Sequence, residues 1–367
     1  MNGRTVGIAT IDDDGNFGNR LQNYALQFAL RDLGWQPETI RNRAGPWPRS
    51  TLIPRLVHDL VSDPPSLVQR VRRRLIPEAE VGPPFAGVRR DAIAEFARSS
   101  TARSVEAFDH SAPDGWADRY DKVVAGSDQI WNPAYRRAGG FDFLTFAAPD
   151  KRIAYAASFG TPTIPRYLRS RYAERIAAIP HVSVREPRGS ELVEELTGRT
   201  VPVVVDPTVL VDRSVWDALI MDAEVPSQPY GVQFLLARPH GQEWLSSLRV
   251  DVPLIDLNDL SVAASARLDP RGFVAAIAHA EVVVTDSFHA AVFAMRYRRP
   301  LLARRRHPTD DRVQSLLGLY GVPSSADRSG GIRFEVDFDW APAEASVERA
   351  RGESRGFLSS ALNESPR

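Results

Sequence analysis

The chain has 367 residues, 43% apolar and 25% charged, which excludes a disordered or fibrous protein and suits roughly two domains of ~150 residues. Its 46 basic and 46 acidic residues cancel, so no global field recruits nucleic acid or an anionic membrane. Cysteine is absent, which excludes a disulfide scaffold and thiolate metal sites and fits a reducing cytoplasm.

Met1 to Ile11 lacks the apolar stretch of a signal peptide, and three aspartates follow it directly. No run of ~20 apolar residues occurs, so the expectation is a soluble, cytoplasmic protein. The only lysines are Lys122 and Lys151, and neither precedes Ser or Thr, so a Walker A loop is absent.

Short β-branched runs alternate with amphipathic helical stretches, the pattern of βαβ units and parallel sheets. The first strand is read over Thr5–Ile11, and a helix over Arg20–Leu33 follows a polar loop from Asp12 to Asn19. Further strands are predicted at Lys122–Ala125, Arg152–Ala156, Val182–Val184, Val201–Val205, Val232–Leu236, Leu254–Leu257, Val282–Thr285 and Leu301–Ala303. Helices are predicted between them at Pro165–Ile179, Pro187–Leu196, Pro239–Leu248, Pro270–His279 and Phe288–Arg296. Several open on proline, whose missing N–H costs nothing at a first helical position.

A proline- and arginine-rich stretch at about 44–90 breaks the rhythm and reads as an insertion in the first domain. Its arginines suit a solvated helix face or peripheral contact with a membrane-linked or polyanionic substrate. The strand ending at Val205-Asp206-Pro207 is the expected boundary. It divides an N-terminal α/β domain (1–205) from a C-terminal one (206–340), with a helix at 341–367 docking back on the body.

Ligands of open parallel sheets bind beyond the carboxyl ends of the strands, so the chemistry is sought there. Asn16, Gly18, Asn19, Gln22 and Asn23 form a glycine-bearing turn opening a helix, which suits an anion or ordinary capping. The aspartates before it read as loop solvation rather than a metal site. Ser127, Asp128, Gln129, Trp131 and Asn132 crowd hydrogen-bonding side chains behind Gly126, more than a structural turn needs. Arg185 ends a strand and either grips an anion with its planar fork or pairs with an acid. Asp286 or Ser287 can cap the next helix, which leaves His289 in its first turn, where the helix dipole disfavours the imidazolium.

Taken together and in order, these segments resemble the polysaccharide pyruvyl transferase family. The matching stretches are Asn16-Phe-Gly-Asn-Arg-Leu-Gln-Asn-Tyr-Ala-Leu-Gln27, Gly126-Ser-Asp-Gln-Ile-Trp-Asn132, Tyr155-Ala-Ala-Ser-Phe-Gly160, Ser183-Val-Arg-Glu186, Asp206-Pro-Thr-Val-Leu210 and Thr285-Asp-Ser-Phe-His-Ala-Ala-Val-Phe293. The resemblance implies two Rossmann-like α/β domains in a GT-B-like arrangement around an inter-domain cleft. It implies transfer of a pyruvyl group from phosphoenolpyruvate to hydroxyls of a sugar, glycolipid or glycosylated acceptor, often as a cyclic ketal. Phosphoenolpyruvate is then a donor substrate, and neither a cofactor nor a metal is called for.

On that reading His289 and Asp128 are the catalytic candidates. Arg185, Asn16, Gly18, Asn19, Ser287, Arg305 and Arg312 bind the donor. Gln22, Asn23, Ser127, Gln129, Trp131, Asn132, Ser158 and Asp286 line the cleft or the acceptor site. Ser287 stands where characterised members commonly carry arginine, and an arginine of the 304–312 segment is the candidate replacement. A GT-B-like glycosyltransferase, or another group transferase using a nucleotide or phosphorylated donor, is the alternative.

Overall fold

The computed structural model describes residues 3–43, 85–109, 115–134, 139–237, 245, 248, 250–304, 312–322, 325–326, 331–334 and 339–364. Within them the chain forms two Rossmann-like α/β halves. The first sheet is wholly parallel, with strands β1 (Thr5–Ala9), β2 (Gln36–Asn42), β3 (Arg103–Phe108), β4 (Lys122–Ala125), β5 (Arg152–Ala157) and β6 (His181–Val184) in the order β3-β2-β1-β4-β5-β6. The second contains β7 (Gly231–Phe234), β8 (Leu254–Asp256), β9 (Val283–Thr285), β10 (Leu301–Arg304), β11 (Ser325–Ala326) and β12 (Gly331–Phe334) in the order β11-β12-β10-β9-β7-β8. Its first four strands are parallel, and β11 and β12 add an antiparallel edge. Strand order reverses between β1 and β4 in one sheet and between β7 and β9 in the other. Those are the topological switch points, where loops diverge and leave room for a ligand.

Helices on the sheet faces are α1 (Phe17–Asp32), α2 (Ala86–Ser100), α3 (Arg166–Ala177), α4 (Pro187–Thr197), α5 (Pro207–Leu210), α6 (Arg213–Ile220), α7 (Ala263–Ala266), α8 (Pro270–Ala278), α9 (Phe288–Arg296), α10 (Arg312–Leu319) and α11 (Trp340–Asn363). Proline occupies the first turn of α4, α5 and α8. Among the described residues no helix is long and apolar enough to cross a membrane.

Strands β2 and β3 are absent from the sequence reading for a physical reason. Gln36-Pro-Glu-Thr-Ile-Arg-Asn42 carries one aliphatic residue, and β3 is an edge strand whose Val105 points into solvent. Neither offers the continuous β-branched run of a strand buried on both faces. Val201–Val205, by contrast, is not a strand. It touches β6 through a single bridge, Val184 to Val203, because Pro202 has no N–H to continue a ladder and the chain turns at Asp206. Helix α1 begins at Phe17, three residues before the expected Arg20, since the Asn16 side chain accepts the Asn19 N–H and caps it there. The arginine-rich segment Ser66–Ile76, most of the predicted helix Pro239–Leu248, and Arg305 lie outside the described residues.

The two halves share one apolar core, which contains Val6 and Ile8 of β1 together with Val232 of β7 and Val283 of β9. Phe17 stacks on Phe273 of α8 with 4.6 Å between ring centroids. The Arg89 guanidinium lies over the Phe17 ring, 4.6 Å from its centroid, and donates to Leu257 O and Ser265 O. Helix α11 runs across both halves. Ser354 Oγ accepts the Val205 N–H at 3.0 Å, Arg351 Nε donates to Leu210 O at 3.0 Å, and Phe357 faces Tyr155 of β5.

Candidate active site

Five chain segments converge where the strands end. They are the loop after β1 with the first turn of α1, the Gly126–Asn132 turn after β4, Ser158 after β5, Arg185-Glu186 after β6, and Thr285–His289 after β9. The segment that joins the halves supplies a sixth element, Asp206.

Asp206 is 2% exposed and fully engaged. Its Oδ1 accepts Thr208 N at 2.9 Å and Thr208 Oγ1 at 2.6 Å, an Asx turn that caps α5. Its Oδ2 accepts Ser127 Oγ at 2.8 Å and Arg185 Nη1 at 2.7 Å. Burial alone would raise this carboxyl, but the Arg185 guanidinium and the nearby His289 and Thr208 hold it at about 2. Arg185 is buried too, its desolvation outweighed by Asp206, Glu186 and Asp128, so it stays cationic. Its plane lies 4.5 Å from the Phe288 ring centroid; Nε and Nη2 have no hydrogen-bond partner, Nε forming only an ion pair with Glu186 Oε2 at 3.6 Å. Two donors left without hydrogen bonds on a buried guanidinium are costly, and fit an anion that the fork can grip.

Glu186 next to it organises the β5 end. Its Oε1 accepts Ser158 Oγ at 2.6 Å, Phe159 N at 3.1 Å and Gly160 N at 3.3 Å. Register slips by a bulge between Ala154 and Ala157, with Ala156 at φ 52°, and this re-aims the strand end toward Glu186. Asp128 has φ 63° in its turn; its carbonyl accepts Ser158 N at 3.1 Å and its Oδ2 accepts Asn19 Nδ2 at 3.4 Å. A left-handed aspartate is tolerable but strained, and such backbone is commonly kept at functional sites.

His289 projects from the first turn of α9 and is 8% exposed. Its Nε2 sits 3.9 Å from Asp206 Oδ1, beyond hydrogen-bond reach, and has no partner. The other edge of the ring lies against Gly18 so closely that a Cβ there would overlap it. Burial lowers the pKa of the imidazole, opposed by Asp206 and Asp128 and reinforced by Arg185 and Arg312. A neutral histidine with an open nitrogen can accept or relay a proton near neutral pH.

The structure therefore gathers Gly18, Asn19, Ser127, Asp128, Ser158, Arg185 and His289 around Asp206 and Glu186. Ser287 is at the N-cap position of α9 without a capping side-chain bond; its N–H goes to Thr285 Oγ1. Asp286 is turned away to accept the N–H groups of Leu236 and Ala237, which closes the end of β7. Asn16 serves as the cap of α1. Gln129 and Asn132 bond each other beside Gly160.

Three expected lining residues face inward instead. Gln22 donates to Thr10 and Asn23 to Thr39, because their helical positions point at the sheet, and Trp131 stacks on Phe143 in the core of the first half. Asp12 and Asp14 are not merely solvated, since both pair with buried Arg20, and Asp12 also pairs with Arg103. Asp206, Glu186 and Phe288 are additions to the sequence reading. The Asp-Pro pair reads as a boundary turn, although an acidic residue directly after a β-branched run is also the signal of a strand-end site.

A cavity of about 350 Å³ adjoins Arg185, Glu186, Asp206 and Phe288, with Arg312 at one wall and Val209, Leu316 and Leu319 as apolar lining. A second hollow, of about 400 Å³ between Arg296, Trp340 and Arg351, contains none of the expected site residues. The family model described as polysaccharide pyruvyl transferase matches residues 16–308, a span that includes the first turn of α1 and the four other converging segments together with Asp206. No curated protein sequence matches the chain.

Proposed function

The chain belongs to the polysaccharide pyruvyl transferase family and is a transferase, and from that premise we propose that it moves the pyruvyl group of phosphoenolpyruvate onto hydroxyls of a sugar-containing acceptor. The observation that carries this reading is the pair of buried groups without hydrogen bonds at the junction of the two sheets: the Arg185 fork, whose Nη2 is open and whose Nε has only an ion pair with Glu186 Oε2 at 3.6 Å, and the open Nε2 of His289. Phosphoenolpyruvate brings a carboxylate and a phosphate, and the Arg185 fork binds either in a charge-assisted, bidentate manner. The first-turn N–H groups of α1 add a second anion-favouring feature beside His289.

Ketal formation removes two hydroxyl protons, delivers one to the donor methylene and leaves the other on the departing phosphate. The donor methylene takes a proton, an acceptor hydroxyl adds to the phosphate-bearing carbon and loses its own, and the carbon–oxygen bond to phosphate breaks. A second hydroxyl adding to the same carbon closes the ketal and releases a second proton. Neutral His289 is suited to accept the hydroxyl proton, with Asp128 facing it as the partner acid–base group. Arg312 supplies positive charge near the imidazole, where Ser287 has none. We assign the segment before Asp206 to one domain and the segment after it to the other, so that donor anchor and base come from different halves.

The test is release of inorganic phosphate from phosphoenolpyruvate in the presence of diol-bearing sugars, with the product checked for a pyruvate ketal by mass. Thermal stabilisation by nucleotide sugars but not by phosphoenolpyruvate overturns the reading in favour of a glycosyltransferase-like donor.

A further inference from the structure

We propose that Asp206 is a positioning residue that holds the Arg185 fork and the His289 imidazole in working register through one shared carboxylate. This inference rests on the donor and base roles proposed above for those two side chains.

The division of labour between the carboxylate oxygens carries it. Oδ2 is bonded only to the first half, to Ser127 after β4 and Arg185 after β6. Oδ1 is held by Thr208 of its own turn and is the oxygen that faces His289 of the second half. The carboxylate takes one N–H group of Arg185, Nη1, and so aims the remaining edge of the fork, Nε and Nη2, away from itself. Were Asp206 only an ion-pair partner for a buried arginine, a bidentate contact would satisfy both ions better; the single contact leaves Nη2 without a hydrogen bond and Nε with only a longer ion pair, 3.6 Å from Glu186 Oε2. Toward His289, an anion at 3.9 Å favours the imidazolium that forms when the base takes a proton, without the hydrogen bond that would lock the ring. The backbone on either side is anchored from two further helices: Val205 N to Ser354 of α11, and Val209 O and Val211 O to Arg296 of α9. A carboxylate fixed this firmly can act as a reference point for both halves.

The charged groups facing His289 are Asp206, Asp128, Arg185 and Arg312, and those facing Asp206 are Arg185, His289 and the Tyr155 hydroxyl group. Removing the Asp206 charge therefore turns an even balance of two aspartates and two arginines around His289 into two arginines against one aspartate. Its pKa falls.

Asp206→Asn is the decisive variant, read by histidine NMR titration, by calorimetry with phosphoenolpyruvate, and by the pH dependence of kcat. The expected result is a folded protein in which His289 titrates at lower pH than in the parent and the acid limb of kcat moves down with it. Phosphoenolpyruvate affinity falls at least tenfold. A folded Asp206→Asn protein with parental His289 titration and parental donor affinity overturns the proposal and leaves Asp206 a structural residue. If that variant does not fold, Ser127→Ala decides, because it loosens Oδ2 while keeping the charge. It should raise KM for phosphoenolpyruvate severalfold with melting temperature nearly kept, and an unchanged KM overturns the proposal. The NMR arm needs no substrate, so a parent protein that binds no phosphoenolpyruvate refutes the proposed function while the coupling of Asp206 to His289 is still read.

Discussion

Two buried arginines, one in the first turn of α1 and one directly after β6, are built to opposite purposes. Arg20, at the start of α1, gives each of its terminal nitrogens to a separate carboxylate, Asp12 and Asp14, and thereby pins the loop after β1. Arg185, after β6, spends one terminal nitrogen on Asp206 and rests on the face of Phe288. Both are nearly excluded from water, at 1% and 7% exposure. Arg20 has both terminal nitrogens paired within the chain and only Nε without a hydrogen bond, whereas Arg185 keeps Nη2 in reserve as well, at a cost in stability that suits the donor-binding role proposed for it. The same contrast separates the histidine at the site from the histidine at the far end of the sheet: His181 sits beside Glu364 at 3.3 Å, while His289 Nε2 has no hydrogen bond.

The largest expected effect that sharpens this contrast is on rate. His289→Ala should lower turnover by about 10²–10⁴-fold with little change in melting temperature, as loss of general acid–base help does. Steady-state kinetics beside a thermal melt measure both, and near-parental turnover would return His289 to the structural class. Gly18→Ala comes next. The added methyl pushes the imidazole out of place, and a misplacement of ~1 Å can cost about 100-fold in kcat. Donor affinity should fall less than kcat, and calorimetry tells the two apart.

The paired arginine substitutions test the comparison itself. Arg185→Lys should raise KM for phosphoenolpyruvate about 10- to 100-fold, the kinetic equivalent of losing ~1.5–3 kcal/mol of charge-assisted hydrogen bonding. Arg20→Lys should lower the melting temperature and leave KM alone. If both variants move KM equally, the distinction between saturated and reserved arginines fails here.

The smallest expected effect is the pH dependence of stability. Asp206 is held at about 2, below its usual carboxylate value, so its charged form is favoured by folding. That contributes about 2 kcal/mol above pH ~4, which is lost as the pH falls toward 2. Burial lowers His289, so the unfolded chain binds this proton first and stability declines as pH falls below about 6.5. Denaturant unfolding from pH 7 to 2 should show both declines in the parent and a smaller upper one in His289→Gln, where the burial-lowered His181 still contributes.

Much of this arrangement is legible in the sequence, for reasons that also explain the omissions. Strands such as β4, β5 and β9 are buried on both faces, and their β-branched and small apolar runs announce both the strand and the place where it ends. The polar groups just beyond those ends, Asp128, Arg185 and His289, are found by the same rule. Strands β2 and β3 leave no such run, because each has a polar or solvated face. Polar residues on α1 divide by helical angle, which one-dimensional spacing near a loop does not fix: Asn19 meets Asp128, while Gln22 and Asn23 meet the sheet threonines. Asp206 reads as punctuation in the sequence. Its significance comes from partners 79 residues before it in Ser127 and 21 residues before it in Arg185, contacts that no local pattern encodes.

The docking of α11 has a consequence for the order in which the chain acquires activity. Val205 N finds its acceptor 149 residues downstream, at Ser354, and Leu210 O finds its donor 141 residues downstream, at Arg351. The turn bearing Asp206 is thus secured from a helix synthesised long after it. During translation both sheets can form while this turn still lacks its clasp, since long-range contacts close late and slowly. A nascent or C-terminally clipped chain would then be folded in outline yet without a settled reference point for its arginine and its histidine. Catalytic competence would arrive as the final act of folding.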